Sequence, residues 1–321
     1  EKVQGIPSYS LSEKELIVSG EGFKYVFNRT DGQLTSMVVQ DMELLESPLR
    51  LNLWRAPLAN ELDNWNASSA RSSNWIEGYG YTVATEMYSA GIDRLTHQPL
   101  SFSVSETTEG VHIHIIDAEL MGKGEKEKKD LYIEGVQNNG IINHYEYIIN
   151  SEGTIEIRHV LKPEGKMPLW FPRIGLTLTV SDALDQVKWY GRGPQENYPD
   201  RKTGYPTGIY ASTVQAMYEP YLMPQDYGLR TDVRWLQLTT DKGIGLQFKM
   251  NEWFNFNIYP YSTDNLTKAM YTYQLQKQKG MTLNLDYATT GVGCTARGVF
   301  GAYKAMPQEY RRTISIKPMM K

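Results

Sequence analysis

The side chains follow a period of two along most of the chain. Phe23, Tyr25 and Phe27 alternate with Lys24 and Val26, and Val111, Ile113 and Ile115 alternate with His112 and His114. Tyr145, Tyr147 and Ile149 are spaced by Glu146 and Ile148, Leu176, Leu178 and Val180 by Thr177 and Thr179. Leu283, Leu285 and Tyr287 alternate with Asn284 and Asp286, and Ile314 and Ile316 close the series. Successive side chains of an extended strand point to opposite faces, so each run predicts a strand with one face buried. Turn-forming residues separate the runs: Asp31-Gly32, Glu152-Gly153, Asp241-Lys242-Gly243 and Lys279-Gly280. Asp31-Gly32 stands between two apolar alternations and predicts a tight hairpin.

Helical periodicity is sparse. Ser262 to Met270 places capping residues ahead of a short periodic stretch and predicts one or two turns. Residues 122–130 are dominated by lysine and glutamate and predict a solvated loop or hairpin tip. Many strands, short turns and few helices predict an all-β antiparallel fold, at this length a large two-sheet sandwich. No linker-like stretch divides the chain. The expectation is one domain over residues 1–321, with residues 1–15 able to serve as a linker from a preceding domain.

Charge narrows the partners. Lys plus Arg is 33 and Asp plus Glu is 37, a formal net charge of -4. That leaves no basic excess to neutralise a phosphate backbone, so nucleic acid is excluded as the main partner. No apolar run approaches the roughly 20 residues of a spanning helix, so no membrane partner is expected. Cys294 is the single cysteine, which excludes an internal disulfide and any site needing two cysteines. One cysteine fits a reducing compartment or a periplasm equally. Tyr (22) and Trp (7) together outnumber Phe (8), and such polar-edged aromatics suit carbohydrate sites as well as strands. The first residue is Glu1, with no apolar leader behind it, so the expectation is a processed or excised piece of something larger.

Four segments concentrate polar groups. Trp189 to Arg201 follows a strand-like run and holds two glycines and two prolines, a frame from which Glu196, Asn197, Asp200 and Arg201 are expected to project. Trp54 to Trp65 carries Glu61 and Asp63, which read either as a carboxylate pair or as turn-capping side chains. Tyr221 to Trp235 is polar up to a strand starting near Val233, and Gly291 to Gly298 is a glycine loop. His112 and His114 share a strand face and could share a metal, but no obvious spacing supplies a third ligand. The ordinary reading is a strand face, so no metal site is assigned. No G-x-S-x-G elbow supports a serine nucleophile.

Three of these segments resemble the C-terminal, small-chain domain of bacterial β-galactosidases of glycoside hydrolase family 2. Arg55-Ala56-Pro57-Leu58-Ala59-Asn60-Glu61 is similar to that family's R-A-P-x-D-N-D, with Ala59 in place of the first Asp. Gly193-Pro194-Gln195-Glu196-Asn197-Tyr198-Pro199-Asp200-Arg201 resembles its G-P-Q-E-N-Y-P-D-R residue for residue. Tyr221 to Arg230 resembles its Y-x-x-P-Q-E-x-G-x-R through Gln225, Gly228 and Arg230, with Asp226 for the Glu. The resemblance extends from about residue 15 to the end.

It implies a galactose-mutarotase-like β-supersandwich, carried by a parent that hydrolyses terminal β-galactosides with retention. The two catalytic glutamates of such a parent would sit on a separate (β/α)8 barrel, so no residue here is expected to be catalytic. The implied role is to pack on the barrel and help form the sugar pocket, with Asn60, Glu61, Asp63, Asn64, Trp65 and Arg297 at its rim. Gly291-Val292-Gly293-Cys294 matches the start of the family's G-x-G-G-x-D-S-W, and Gly298 falls where its sugar-stacking tryptophan stands. Arg297 and Phe300 are the neighbours that could replace it. No cofactor is expected in this chain. Mg or Na sites of the parent would lie in other domains, and a homo-oligomeric parent is also implied. Competing readings are a stand-alone carbohydrate-binding module and an aldose epimerase.

Overall fold

The computed structural model describes residues 6–62, 81–122, 139–293 and 298–320. The chain opens with an antiparallel meander: β1 (Ser8–Leu11), β2 (Glu15–Gly20), β3 (Phe23–Asn28), β4 (Gln33–Val39) and β5 (Met42–Glu43), neighbours in space as in sequence. The Asp31-Gly32 hairpin forms as predicted, with Gly32 at φ 72 and the Asp31 carboxylate accepting the Gln33 N–H at 3.0 Å. Leu16, Val18, Phe23, Tyr25 and Phe27 fill one face of this sheet.

A second, 12-stranded sheet contains β6 (Leu45–Asn52), β7 (Thr96–Thr107), β8 (Gly110–Leu120), β9 (Gly140–Ile149), β10 (Ile155–Glu164) and β11 (Arg173–Val180). It continues with β12 (Gln186–Arg192), β13 (Thr207–Thr213), β14 (Arg230–Thr239), β15 (Gly245–Tyr259), β16 (Met281–Thr289) and β17 (Tyr310–Met319). All pairings are antiparallel. The five-stranded sheet packs on it: Phe27 meets Tyr147 edge-on at 5.2 Å, and the Tyr25 hydroxyl donates to Gly153 O at 2.7 Å. One cluster of buried apolar side chains runs through both sheets.

The larger sheet forks at β15. Its first part, Gly245 to Met250, pairs with β17, and its last part, Asn255 to Tyr259, pairs with β16. Asn251, Glu252 and Trp253 lie exposed at the crossing. The fork puts β16, β11 and β6 on a branch of the same sheet. There alternation fails as a guide to burial, because Thr282, Asn284 and Asp286 of β16 are as buried as Leu283 and Leu285. Gly175 allows this close approach, since a Cβ there would lie 2.3 Å from Leu285 O.

Three short helices complete the fold among the described residues: α1 (Ala59–Leu62), α2 (Tyr81–Ala90) and α3 (Thr263–Lys268). The Ser262 hydroxyl accepts from Asn265 N at 3.0 Å and caps α3 where the sequence placed its turn. The period-two reading passed over α2, although Val83 and Met87 stand four apart and are both buried, the spacing of a helical face. No helix among the described residues is long and apolar enough to cross a membrane. Of the expected 122–130 loop, residues 123–130 lie outside the described residues.

Candidate functional site

After β6 the chain runs from Leu53 to Leu58 buried but outside any strand. Backbone polar groups in such a stretch must be paired by other means. Asn52 Oδ1 accepts Trp54 N at 2.9 Å and Ala56 O accepts Asp226 N at 3.3 Å, while Arg55, fully buried, ties the stretch to a neighbouring loop. Its Nη1 donates to Thr290 O at 2.7 Å, and its Nη2 to Gly291 O at 3.1 Å and to Glu61 Oε1 at 3.0 Å. Glu61 Oε2 accepts the Leu58 N–H at 2.9 Å, which ties α1 to the preceding turn. Asn60 Nδ2 donates to Val292 O at 2.9 Å, and Ala59 N to Gln225 Oε1 at 2.9 Å. The first motif is thus fastened both to the third motif and to the glycine loop.

The second motif turns inward. Glu196 and Asn197 were expected to project, yet both are buried. The reason is the number of donors that converge on Glu196: Arg201 Nη2 at 2.8 Å, Gly228 N at 2.8 Å, the Tyr198 hydroxyl at 3.1 Å and the Tyr221 hydroxyl. Burial, aided by the hydrogen bond to Glu196, pushes the Tyr221 phenol up, so it stays a donor. Asn197 Oδ1 accepts Thr231 N at 3.1 Å, while its own N–H reaches Leu229 O at 2.8 Å. Gly228 sits at φ 77, a conformation that favours glycine, and Arg230 folds back to donate to Gly228 O at 2.8 Å. Burial pulls the Arg230 guanidinium down to about 10. Pro194 and Gln195 stay exposed at the tip, and Gly193 packs against Trp189 and Tyr210, with no room for a Cβ.

Asp200 joins the second motif to the glycine loop. Its two oxygens accept Val292 N at 3.0 Å and Gly293 N at 2.7 Å. A Cβ on Gly291 would stand 2.3 Å from the Asp200 carboxyl carbon, so a glycine is needed for the loop to lie this close. The first and second motifs therefore converge on residues 290–293, and the third is bonded to both of them, through Gln225 to Ala59 N and through Gly228 N to Glu196.

Beneath them lies a buried charge network that the sequence reading did not assemble. Arg173 stands between Asp226 (Nη2 to Oδ2, 3.4 Å) and Asp286 (Nε to Oδ2, 3.2 Å), all three fully buried. Asn257 donates to Asp226 at 3.1 Å, the Tyr259 hydroxyl donates to Asp226 at 3.3 Å, and Asn284 donates to Asn257 at 2.9 Å. Burial lifts the Asp286 carboxyl to about 6, against the pull of Arg173. The available signal was the run of polar residues at alternate positions, Asn255 and Asn257 on β15 and Asn284 and Asp286 on β16. Alternation alone reads these as solvent-facing.

The motif carboxylates Glu61, Glu196, Asp200 and Asp226 are all held by internal donors, an arrangement suited to fixing loops rather than to moving protons. Of the expected rim, Asn60 is half-buried and Glu61 is buried against Arg55. Asp63, Asn64, Trp65, Cys294 and Arg297 lie outside the described residues. Phe300 is 70% exposed beyond the loop. A cleft of about 570 Å³ opens beside Pro199 and Lys202, walled by Trp253 and Tyr303. Among the described residues, two clusters of potential metal ligands, His97/Asp117/Glu119 and His112/His114/Glu146, are made of residues outside all three motifs.

Comparison with known proteins gives these arrangements a context. The sequence profile of the family described as beta galactosidase small chain matches residues 19–316. A β-galactosidase of Priestia megaterium is 32% identical over 282 residues, covering 88% of this chain and 24% of that protein. A β-galactosidase of Vibrio cholerae is 28% identical over 289 residues, covering 90% of this chain and 25% of that protein. The chain spans about a quarter of the length of the curated relatives it matches. Among solved structures, a GalM/aldose epimerase homologue from C. elegans aligns with a TM-score of 0.47 at 10% identity, over 97% of this chain and 98% of that one.

Proposed function

The chain belongs to the β-galactosidase small-chain family, and we propose that it acts inside a larger retaining β-galactosidase by packing on the catalytic barrel and completing the wall of the sugar pocket. One observation carries the reading: Arg55 and Glu61 of the first motif and Asp200 of the second spend their charge on holding residues 290–293 and α1 in place. Fixed loops whose described motif carboxylates are all engaged suit a wall that positions substrate, because a misplacement of even about 1 Å at a reacting centre costs roughly 100-fold in rate. Retaining hydrolysis needs one carboxyl as acid and one as nucleophile about 5–5.5 Å apart, and the partner barrel supplies both. Terminal β-galactosides are the substrate class, and the other domains of the parent are the partners.

The test is reconstitution. Nitrophenyl β-galactoside hydrolysis is measured for the remaining domains of the parent with and without this chain, and for this chain alone. Activity that depends on the chain, with none from the chain alone, is the expected result. Equal activity without it, or turnover by the chain alone that survives repurification, overturns the reading. A second reading, a carbohydrate-binding surface, is favoured by Trp253. This ring is 60% exposed beside the 570 Å³ cleft, with the Arg234 guanidinium 4.2 Å from its centroid. Saturable lactose binding that Trp253→Ala abolishes would support it, and a flat titration would exclude it.

A further inference from the structure

His112 and His114 stand two apart on β8, on the face opposite Val111, Ile113 and Ile115, which point into the core. The sequence offered no third ligand because it lies 34 residues from His112, on β9. Glu146 is the direct cross-strand partner of His114, and its Oε1 lies 3.2 Å from His112 Nδ1. Ligand atoms of all three residues fall within 4.8 Å of one another. We propose that His112, His114 and Glu146 bind a divalent transition cation, Zn2+ fitting best, with water completing a tetrahedron.

The dimensions agree. Zinc bonds of about 2.1 Å to nitrogen or oxygen place neighbouring tetrahedral ligand atoms about 3.4 Å apart. His112 and Glu146 already stand at 3.2 Å. His114 is exposed, so its ring can turn to close the triangle. Two flanking contacts orient the ligands as supporting residues do in metal sites. Thr107 Oγ1 lies 2.8 Å from His112 Nε2, and a proton donated there leaves the Nδ1 lone pair facing Glu146. Arg158 Nη1 takes Glu146 Oε2 at 3.2 Å and leaves Oε1 for the cation. The charge that Arg158 adds is offset by Glu156, bonded to its Nε at 2.8 Å. Two imidazoles and one carboxylate select zinc, nickel or copper over magnesium and calcium, which require oxygen ligands.

The other cluster is less suited: His97 Nε2 faces Asp31 O at 2.7 Å and Nδ1 faces Glu119 at 2.8 Å, and a metal on Nδ1 must displace a proton that both acceptors help to hold. The Glu119 hydrogen bond raises His97 to about 9, in keeping with an imidazolium. Asp117 is likewise engaged by Asn143 at 2.7 Å.

The experiment uses the full chain without a histidine tag, stripped with chelator and titrated with Zn2+ against a chromophoric competitor. One equivalent is expected to bind. His114→Ala, an exposed change that leaves the core intact, and Glu146→Gln are each expected to weaken binding at least about tenfold. His97→Gln is expected to leave binding unchanged, and Mg2+ is expected not to compete. No binding at millimolar zinc, binding indifferent to His114→Ala, or binding lost in His97→Gln overturns the proposal.

Discussion

Replacing Asp200 by asparagine tests whether the second motif holds the glycine loop. The carboxylate accepts two backbone N–H groups, at 3.0 and 2.7 Å. A hydrogen bond to a charged group contributes about 1.5–3 kcal/mol, and a neutral one about 1 kcal/mol. Asparagine keeps one acceptor and turns an NH2 toward the second N–H. One charged bond is lost and the other weakens. Asp200 is half-buried, so water relieves part of the loss, and the expected cost is about 2 kcal/mol. Where that cost appears depends on how the loop opens. If residues 290–293 detach more cheaply than the whole chain unfolds, the change shows as local opening. Urea unfolding reads the global value, and amide hydrogen exchange at Val292 and Gly293 reads the local one. Exchange there should speed up about 30-fold, the equivalent of 2 kcal/mol at about 1.4 kcal/mol per tenfold. Unchanged exchange together with unchanged unfolding would refute the claim that Asp200 anchors the loop.

Three further outcomes follow from the same geometry. Burial holds His159 down at about 3, between Tyr287 (2.6 Å) and Asn143 (3.0 Å), so the unfolded chain takes up a proton below about pH 6.5 that the fold refuses. Stability from this group is present above 6.5 and lost as pH falls. Relative to His159→Gln, the wild type should therefore lose about 2.5 kcal/mol between about pH 7 and pH 4.5 in urea titrations, and parallel profiles would contradict this. Arg173→Met strands Asp226 and Asp286 without their cation and should cost about 3–5 kcal/mol at neutral pH, with partial recovery in acid as the carboxyls protonate. A loss under about 1 kcal/mol in thermal unfolding would argue against the network. Gly175→Ala places a Cβ 2.3 Å from Leu285 O and 2.5 Å from Asp286 Cα, and should destabilise by about 3 kcal/mol or more. A melting temperature equal to wild type would show that β11 and β16 can separate freely.

Much of the fold was legible because strands with one wet face write their burial into the sequence. Val111, Ile113 and Ile115 are buried, His114 between them is exposed, and the Asp31-Gly32 turn lies where its residue types place it. The second motif was legible as a rigid frame but misread in direction. A sequence shows that Glu196 is polar, not that four donors from Tyr198, Arg201, Tyr221 and Gly228 would surround it. Gln225, Gly228 and Arg230 were likewise legible as a motif, whereas their service to Ala59 and to the chain's own backbone was not.

The sequence by itself determined the strand-rich class, the hairpin, the α3 cap and the family-like motifs, because each depends on residues within a few positions of one another. Tertiary structure decided the rest. The fork of β15 buries both faces of β16, which turns Asn284 and Asp286 from an apparent solvent face into the charged floor beneath the motifs. The joining of the first two motifs to residues 290–293, and of Glu146 to two histidines on another strand, depends on pairings between distant segments. Local pattern records which way a side chain points along its own strand. What it then meets is set by the strand that packs beside it.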